Sequence, residues 1–194
     1  MYNSIITGTG YYVPENVVTN DDLSKLMDTS DAWIQERTGI QQRHFATRGK
    51  DTTTSMGVRA AQKAMEKAHI AKEDIDFLIF ATLSPDYYFP GCGVLAQREL
   101  GLNTVGALDI RNQCSGFIYA LSVADQFIKT GMYKNILVIA SEMQSPALDL
   151  TTRGRNMAVL FGDGAGAAVL SRSEKQGKGI LSSHLHSEGA HAIG

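Results

Sequence analysis

Two cysteines occur in this chain, Cys92 and Cys114, and the second has the setting of a reactive thiol. Cys114 lies in Leu108-Asp109-Ile110-Arg111-Asn112-Gln113-Cys114-Ser115-Gly116-Phe117, where a strand-like run gives way to a helix-like one. Val105 to Ile110 is short, apolar and partly β-branched, as expected of a buried strand. From Cys114 to Lys129 the spacing predicts a helix, with Phe117, Ile118, Leu121, Ala124, Phe127 and Ile128 on one broad face and Gly131 as its stop. A cysteine at a helix N-terminus meets unpaired backbone N–H groups and the positive end of the helix dipole, which together favour thiolate over thiol. The competing reading is a small thiol buried in the core, which is what most free cysteines are.

Other residues have weaker claims. Trp33 and Arg37 stand four apart on a short predicted helix, so an indole face and a guanidinium share one side and could clamp an aromatic base and its phosphate. The alternative is a half-buried tryptophan with an arginine stem lying along it. Arg153 and Arg155 flank Gly154 in a polar loop with further capacity for anions. Gly8-Thr9-Gly10 and Gly162-Asp163-Gly164-Ala165-Gly166-Ala167 resemble dinucleotide loops. Neither opens a helix, as phosphate cradling requires, and tight turns or close backbone packing explain them better. His184 and His186, two apart on a predicted strand, would share a face, but no third ligand accompanies them, so no metal site is expected. No Gly-x-Ser-x-Gly context points to a serine hydrolase.

The elements that must hold these residues alternate along the chain. Strands are expected at Ser4 to Thr7 (entering a turn at Gly8-Thr9-Gly10), Phe77 to Ala81, Ile136 to Ala140, Ala165 to Ser171 and Gly179 to His186. Helices are expected after an Asn20 cap, after Thr29 or Ser30 as far as Thr38, over Thr53 to Ala68 and over Val94 to Leu100. Apolar runs without alternation imply strands covered on both faces, hence an α/β/α layered fold with a mostly parallel sheet. Ser173 to Gly179 is the one plausible boundary, dividing 1–172 from the start of a second unit at 173–194. With 43% apolar residues, 20% charged residues and a net charge of −2, the 194-residue chain has no basic footprint for nucleic acid. It has no apolar stretch of membrane-spanning length and no secretory signal, so a cytoplasmic protein with two free thiols is expected.

Four motifs in register resemble the β-ketoacyl-acyl-carrier-protein synthase III family, the initiating condensing enzymes of type II fatty-acid synthesis, which have the thiolase fold. They are Asp28-Thr29-Ser30-Asp31-Ala32-Trp33-Ile34, Glu36-Arg37-Thr38-Gly39-Ile40, Asp109 to Phe117, and Phe161 to Leu170. The resemblance runs from Met1 to about His186. It implies that Cys114 accepts the acyl group from acyl-CoA, with its own backbone N–H in the oxyanion hole. It also implies that Trp33 stacks on the CoA adenine opposite Arg155 or Arg153, and that Thr29 and Arg37 contact the pantetheine-pyrophosphate end. Phe89 matches a loop that reaches across a homodimer to close the neighbour's acyl pocket. Acyl-CoA and acyl-carrier protein are then substrates, with no separate cofactor. The histidine and asparagine of the family's condensation step lie in its second half, and none of the five histidines here matches that context. The resemblance therefore implies the first, acylating half of the fold. Two other readings remain: a related starter enzyme of secondary metabolism (quinolone-type, or acyl transfer without decarboxylation), and a non-catalytic thiolase-like half-domain.

Overall fold

Phe77-Leu78-Ile79-Phe80-Ala81 offers no polar position to solvent, and in the computed structural model, which describes residues 2–175 and 177–191, this run is the inner strand β4 (Phe77–Ala81). It pairs in parallel with β5 (Gly106–Ile110) on one side and β6 (Asn135–Glu142) on the other. Beyond β6 come β7 (Gly164–Ser173), antiparallel to it, and β1 (Asn3–Tyr12), antiparallel to β7. The order is β1-β7-β6-β4-β5. Four strands therefore point one way and β7 alone opposes them.

Both faces are covered, as the unbroken apolar runs require. Leu78 and Phe80 face α3 (Thr53–Ala68) and α4 (Cys92–Leu100), in a core with Val58, Ala61, Leu137, Ile139 and Val169. Ile79 faces the other way, toward Ala120, Ala124 and Ile128 of α5 (Gly116–Lys129). A separate ribbon of β2 (Asn16–Thr19) and β3 (Gln42–Phe45) carries two short helices, α1 (Asn20–Ser24) and α2 (Asp31–Thr38). Leu23, Met27 and Ile34 join them to Ala158, at the end of α6 (Arg155–Ala158).

Several expectations are corrected. Gly8-Thr9-Gly10 is no turn but the middle of β1. A Cβ at Gly8 would lie 2.2 Å from the Ala64 carbonyl oxygen, and one at Gly10 would lie 2.2 Å from that of Ala60. The glycines let α3 settle directly onto the strand. Thr19, not Asn20, caps α1, by a reciprocal box with Asp22. Asn20 is buried and donates its amide to Asp31 and Ile40 O. Ser30 rather than Thr29 caps α2, which ends on left-handed Gly39. Helix α4 starts at Cys92, two residues before the expected Val94.

Residues 179–186 form no strand. Ile180 N donates to Ser4 O, but Gly179 adopts φ +103° and, of residues 181–186, all but half-buried Leu185 are exposed. With no partner strand, the alternation of this segment has no sheet to join, and His184 and His186 have no common sheet face. Among the described residues no helix is long and apolar enough to cross a membrane, and no cluster of three or more metal-ligating side chains occurs.

Candidate active site

Strand β5 delivers its chain to the carboxyl edge of the sheet, where ligands of α/β proteins bind. Beyond Ile110 the backbone turns sharply: Asn112 is at φ −145°, ψ 50°, and Gln113 takes a left-handed φ of +43°. A 3-10 turn over Gln113–Ser115 follows, and only then does α5 begin at Gly116. Cys114 thus stands one tight turn ahead of the α-helix, not in its first turn as the spacing predicts. Two local bonds fix this corner: the Ser115 hydroxyl donates to Asn112 O at 3.1 Å and accepts from the Asn112 amide at 3.1 Å. Gly116 is buried, and a Cβ there would sit 3.3 Å from Ala81 Cβ, so the helix abuts the end of β4. Left-handed backbone at a non-glycine residue costs about 1–3 kcal/mol and persists where its surroundings enforce it.

The two cysteines divide the two readings of the sequence between them. Cys114 is exposed and Cys92 fully buried, and neither is in a disulfide. Burial pushes the Cys92 thiol pKa up, as befits an inert core thiol.

Cys114 opens into a cavity of about 250 Å³ walled by the strand ends: Ala81 at the end of β4 and Leu83 after it, Ala140 and Glu142 on β6, and Phe161-Gly162 before β7. Glu142 is a residue the sequence reading missed. Its half-buried carboxylate accepts from Leu83 N at 2.7 Å, the Ser84 hydroxyl at 2.8 Å and the Gln144 amide at 3.0 Å. Asp163, which the sequence places within a glycine-rich packing turn, organises that turn. It accepts from Ala46 N (2.6 Å), Gln144 N (2.6 Å), Ser145 N (2.8 Å) and the Ser145 hydroxyl (2.5 Å). The only sequence signal for Glu142 is an acid closing an otherwise apolar strand.

A second group of predicted residues gathers around Trp33, which is half-buried on α2. The guanidinium carbons of Arg37 and Arg155 lie 4.3 and 4.6 Å from its ring centroid. Arg155 also donates to Asp28 O at 2.6 Å. Arg153 turns away, its Nε and Nη2 each 2.8 Å from Asp149 Oδ2, so of the two arginines left open by the sequence Arg155 is the one beside Trp33. That pairing, with the Thr151 bonds that come first, holds the Asp149 pKa down. Thr29, next along the chain from Asp28, has a buried hydroxyl oxygen without a hydrogen-bond partner. Phe161 follows Arg155 by six positions, so this segment can span at most about 20 Å between the Trp33 cluster and the Cys114 cavity. Phe89 is not brought to Cys114: it is 86% exposed beside Tyr88, which is 94% exposed.

Residues 108–189 match the sequence model of the 3-oxoacyl-acyl-carrier-protein synthase III family. The β-ketoacyl-acyl-carrier-protein synthase III of Ehrlichia canis is 49% identical over 97% of this chain and 58% of its own length. That of Thioalkalivibrio sulfidiphilus is 50% identical over 95% and 56%. Among solved structures, the synthase III of Aquifex aeolicus superposes with a TM-score of 0.85 at 49% identity, over 89% of this chain and 55% of that one. The Pseudomonas aeruginosa synthase III gives 0.84 at 34% identity, over 91% and 54%. The chain spans a little over half the length of the curated relatives it matches. With its cysteine corner at the carboxyl edge of a thiolase-like sheet, and over the residues it spans, this chain belongs to the β-ketoacyl-acyl-carrier-protein synthase III family.

Proposed function

We propose that the protein containing this chain initiates fatty-acid synthesis, with Cys114 as its acyl-accepting nucleophile. The observation that carries this reading is an exposed thiol, set on a left-handed corner, opening into a cavity at the carboxyl edge of the sheet. In the acylation step Cys114 Sγ bonds to the acyl carbonyl carbon and the carbon–sulfur bond to CoA breaks. CoA departs as its thiolate, which takes up the proton that Cys114 gives up. The Cys114 backbone N–H would stabilise the carbonyl oxygen as it gains charge. Malonyl-acyl-carrier protein then loses CO2, and the carbanion attacks the acyl thioester and frees the cysteine.

Acyl-CoA and acyl-carrier protein are the substrates, and this chemistry needs no separate cofactor. Trp33, Arg37 and Arg155 would receive the nucleotide end of CoA, with Thr29 beside them, while Arg153 is held by Asp149. Residues 173–194 would begin a second thiolase-like half that supplies the histidine and asparagine for condensation. A cytoplasmic homodimer fits this reading: β5 is an outer strand, and exposed Tyr87, Tyr88 and Phe89 stand near it as a surface for a second copy. The names of the curated relatives favour neither a secondary-metabolic starter enzyme nor a non-catalytic half-domain.

The test is intact mass of the full-length protein after incubation with acetyl-CoA and octanoyl-CoA. An acyl adduct is expected on the native protein and absent from Cys114→Ala, and addition of malonyl-acyl-carrier protein should discharge it as a ketoacyl product. No adduct from either acyl-CoA would sink the reading.

A further inference from the structure

We propose that Arg43 is the positioning residue that holds helix α2 and helix α6 at the spacing at which Trp33 and Arg155 together receive the nucleotide end of CoA. This rests on the reading of Trp33, Arg37 and Arg155 as that site, and it adds a residue that acts through them. Trp33 and Arg155 come from distant stretches of chain, so something must fix the distance between their helices. Arg43, on β3, is only 6% exposed. Its Nη2 reaches two ways, donating to Asn20 Oδ1 at 2.9 Å and to Val159 O at 3.1 Å, and its Nη1 donates to Val18 O at 3.3 Å.

Each of those acceptors leads to one side of the Trp33 site. Asn20 Nδ2 donates to Asp31 Oδ1 at 2.8 Å and to Ile40 O at 2.7 Å, so it grips α2 in its first turn and again just past its Gly39 cap. Val159 follows α6, and its N–H closes the single turn of that helix onto Arg155 O at 3.2 Å. One guanidinium nitrogen therefore joins the element bearing Trp33 to the element bearing Arg155. The bond from Arg155 to Asp28 O spans the same gap but is exposed, whereas the Nη2 bonds of Arg43 are buried and shielded from competing water. Stability alone is a poor reason for this arrangement. Among the described residues no carboxylate forms an ion pair with Arg43, and its buried Nε has no hydrogen-bond partner. A buried cation served only by neutral acceptors is costly, and an apolar side chain of similar size would fill the space more cheaply. What such a side chain lacks is a rigid fork that fixes two acceptors relative to each other.

The experiment compares two acetyl donors with the same thioester, acetyl-CoA and acetyl-pantetheine, the second lacking the nucleotide. Rates of acetyl transfer to the full-length protein are read by intact mass at low donor concentration, and their ratio is taken. The native protein is expected to favour acetyl-CoA. Arg43→Met should lower the CoA-to-pantetheine ratio about tenfold, the worth of one desolvated cation–π contact. Arg43→Lys, which restores a donor without the fork, should lower it less, and Asn20→Ala, which cuts the chain at its middle, should lower it as Arg43→Met does. A merely structural role would slow both donors in proportion and leave the ratio where it was. Should Arg43→Met fail to fold, Arg43→Lys and Asn20→Ala decide. A ratio unmoved in the folded variants overturns the proposal while native preference for acetyl-CoA leaves the parent reading standing. A native protein that takes acetyl equally well from both donors, or from neither, sinks the parent reading, and this proposal falls with it.

Discussion

Arg155 donates to Asp28 O at 2.6 Å while its guanidinium carbon rests 4.6 Å from the Trp33 ring centroid. One side chain thus joins the start of α6 to the helix that carries the tryptophan, through a directional bond and a cation–π contact. Removing it costs the site its shape as well as a charge. In the full-length enzyme, Arg155→Ala and Trp33→Ala are each expected to raise KM for acyl-CoA about tenfold, with kcat reduced less. Arg153→Ala, whose partner is Asp149, is expected to stay within about twofold of the parent. Steady-state kinetics check this, and equal losses at Arg153 and Arg155 would count against the assignment.

The two thiols should differ sharply in reactivity. Cys114 is exposed and Cys92 is 0% exposed inside the α3–α4 core. Under native conditions iodoacetamide is expected to label Cys114 alone, with Cys92 reacting only after denaturant is added. Peptide mapping reads the outcome directly.

Cys92 also makes stability depend on pH in the alkaline range. Burial raises its folded-state pKa above the ordinary thiol value of 9.0. Below that value the thiol is protonated in both states and its contribution is fully present. Above it the unfolded chain ionises first, so stability falls as pH rises toward the folded value. Urea midpoints measured upward from neutrality should therefore decline more steeply for the parent than for Cys92→Ser, which does not ionise there. Identical alkaline slopes would refute this.

Gly8→Ala and Gly10→Ala each place a methyl group 2.2 Å from a carbonyl oxygen of α3, a backbone atom that cannot turn away. Each is expected to cost about 3 kcal/mol or to prevent folding. Gly166 in β7, where a Cβ would meet nothing within 4 Å, should accept alanine with little change or a small gain. Thermal melts of the three variants would separate the two cases.

Asp163→Ala removes the acceptor for three backbone N–H groups and one hydroxyl at a position that is 5% exposed. A loss of about 3 kcal/mol is expected, since buried donors left unsatisfied cost about 1–3 kcal/mol each and relaxation recovers part. Chemical denaturation checks the magnitude.

Elements whose information is local were readable from the sequence. Thr53–Ala68 shows its amphipathic spacing and Phe77–Ala81 its unbroken apolar run, and both have the expected bounds. The strand–corner–helix at Cys114 was readable in kind, but the left-handed Gln113 and the intervening 3-10 turn were not, because ordinary residues form them. The glycines of β1 read as a turn because their reason, the close approach of Ala60 and Ala64, lies some fifty residues away. Glu142 and Asp163 show little in the sequence, since the groups they bind, Leu83 N and the Ser84 hydroxyl for Glu142 and chiefly main-chain N–H groups for Asp163, are brought to them by the fold. Residues 179–186 alternate like a strand, and periodicity alone cannot say whether an edge is available to pair with.

Where Gly8 and Gly10 meet Ala64 and Ala60, strand backbone lies against helix backbone, and no change of rotamer can alter that spacing. Helix α3 is therefore a fixed post on the sheet rather than an adjustable one. The loop after β4 hangs from the first turn of that post, through Asp86 bound to Thr53 N and Thr54 N at 2.8 and 2.9 Å. At its other end Gly93 N is bound to Asp109 at 2.9 Å. Anchored at both ends to immobile ground, this loop can yield only at its crown, Tyr87 to Pro90, and accommodation of a neighbour or a substrate there must be a movement of those four residues.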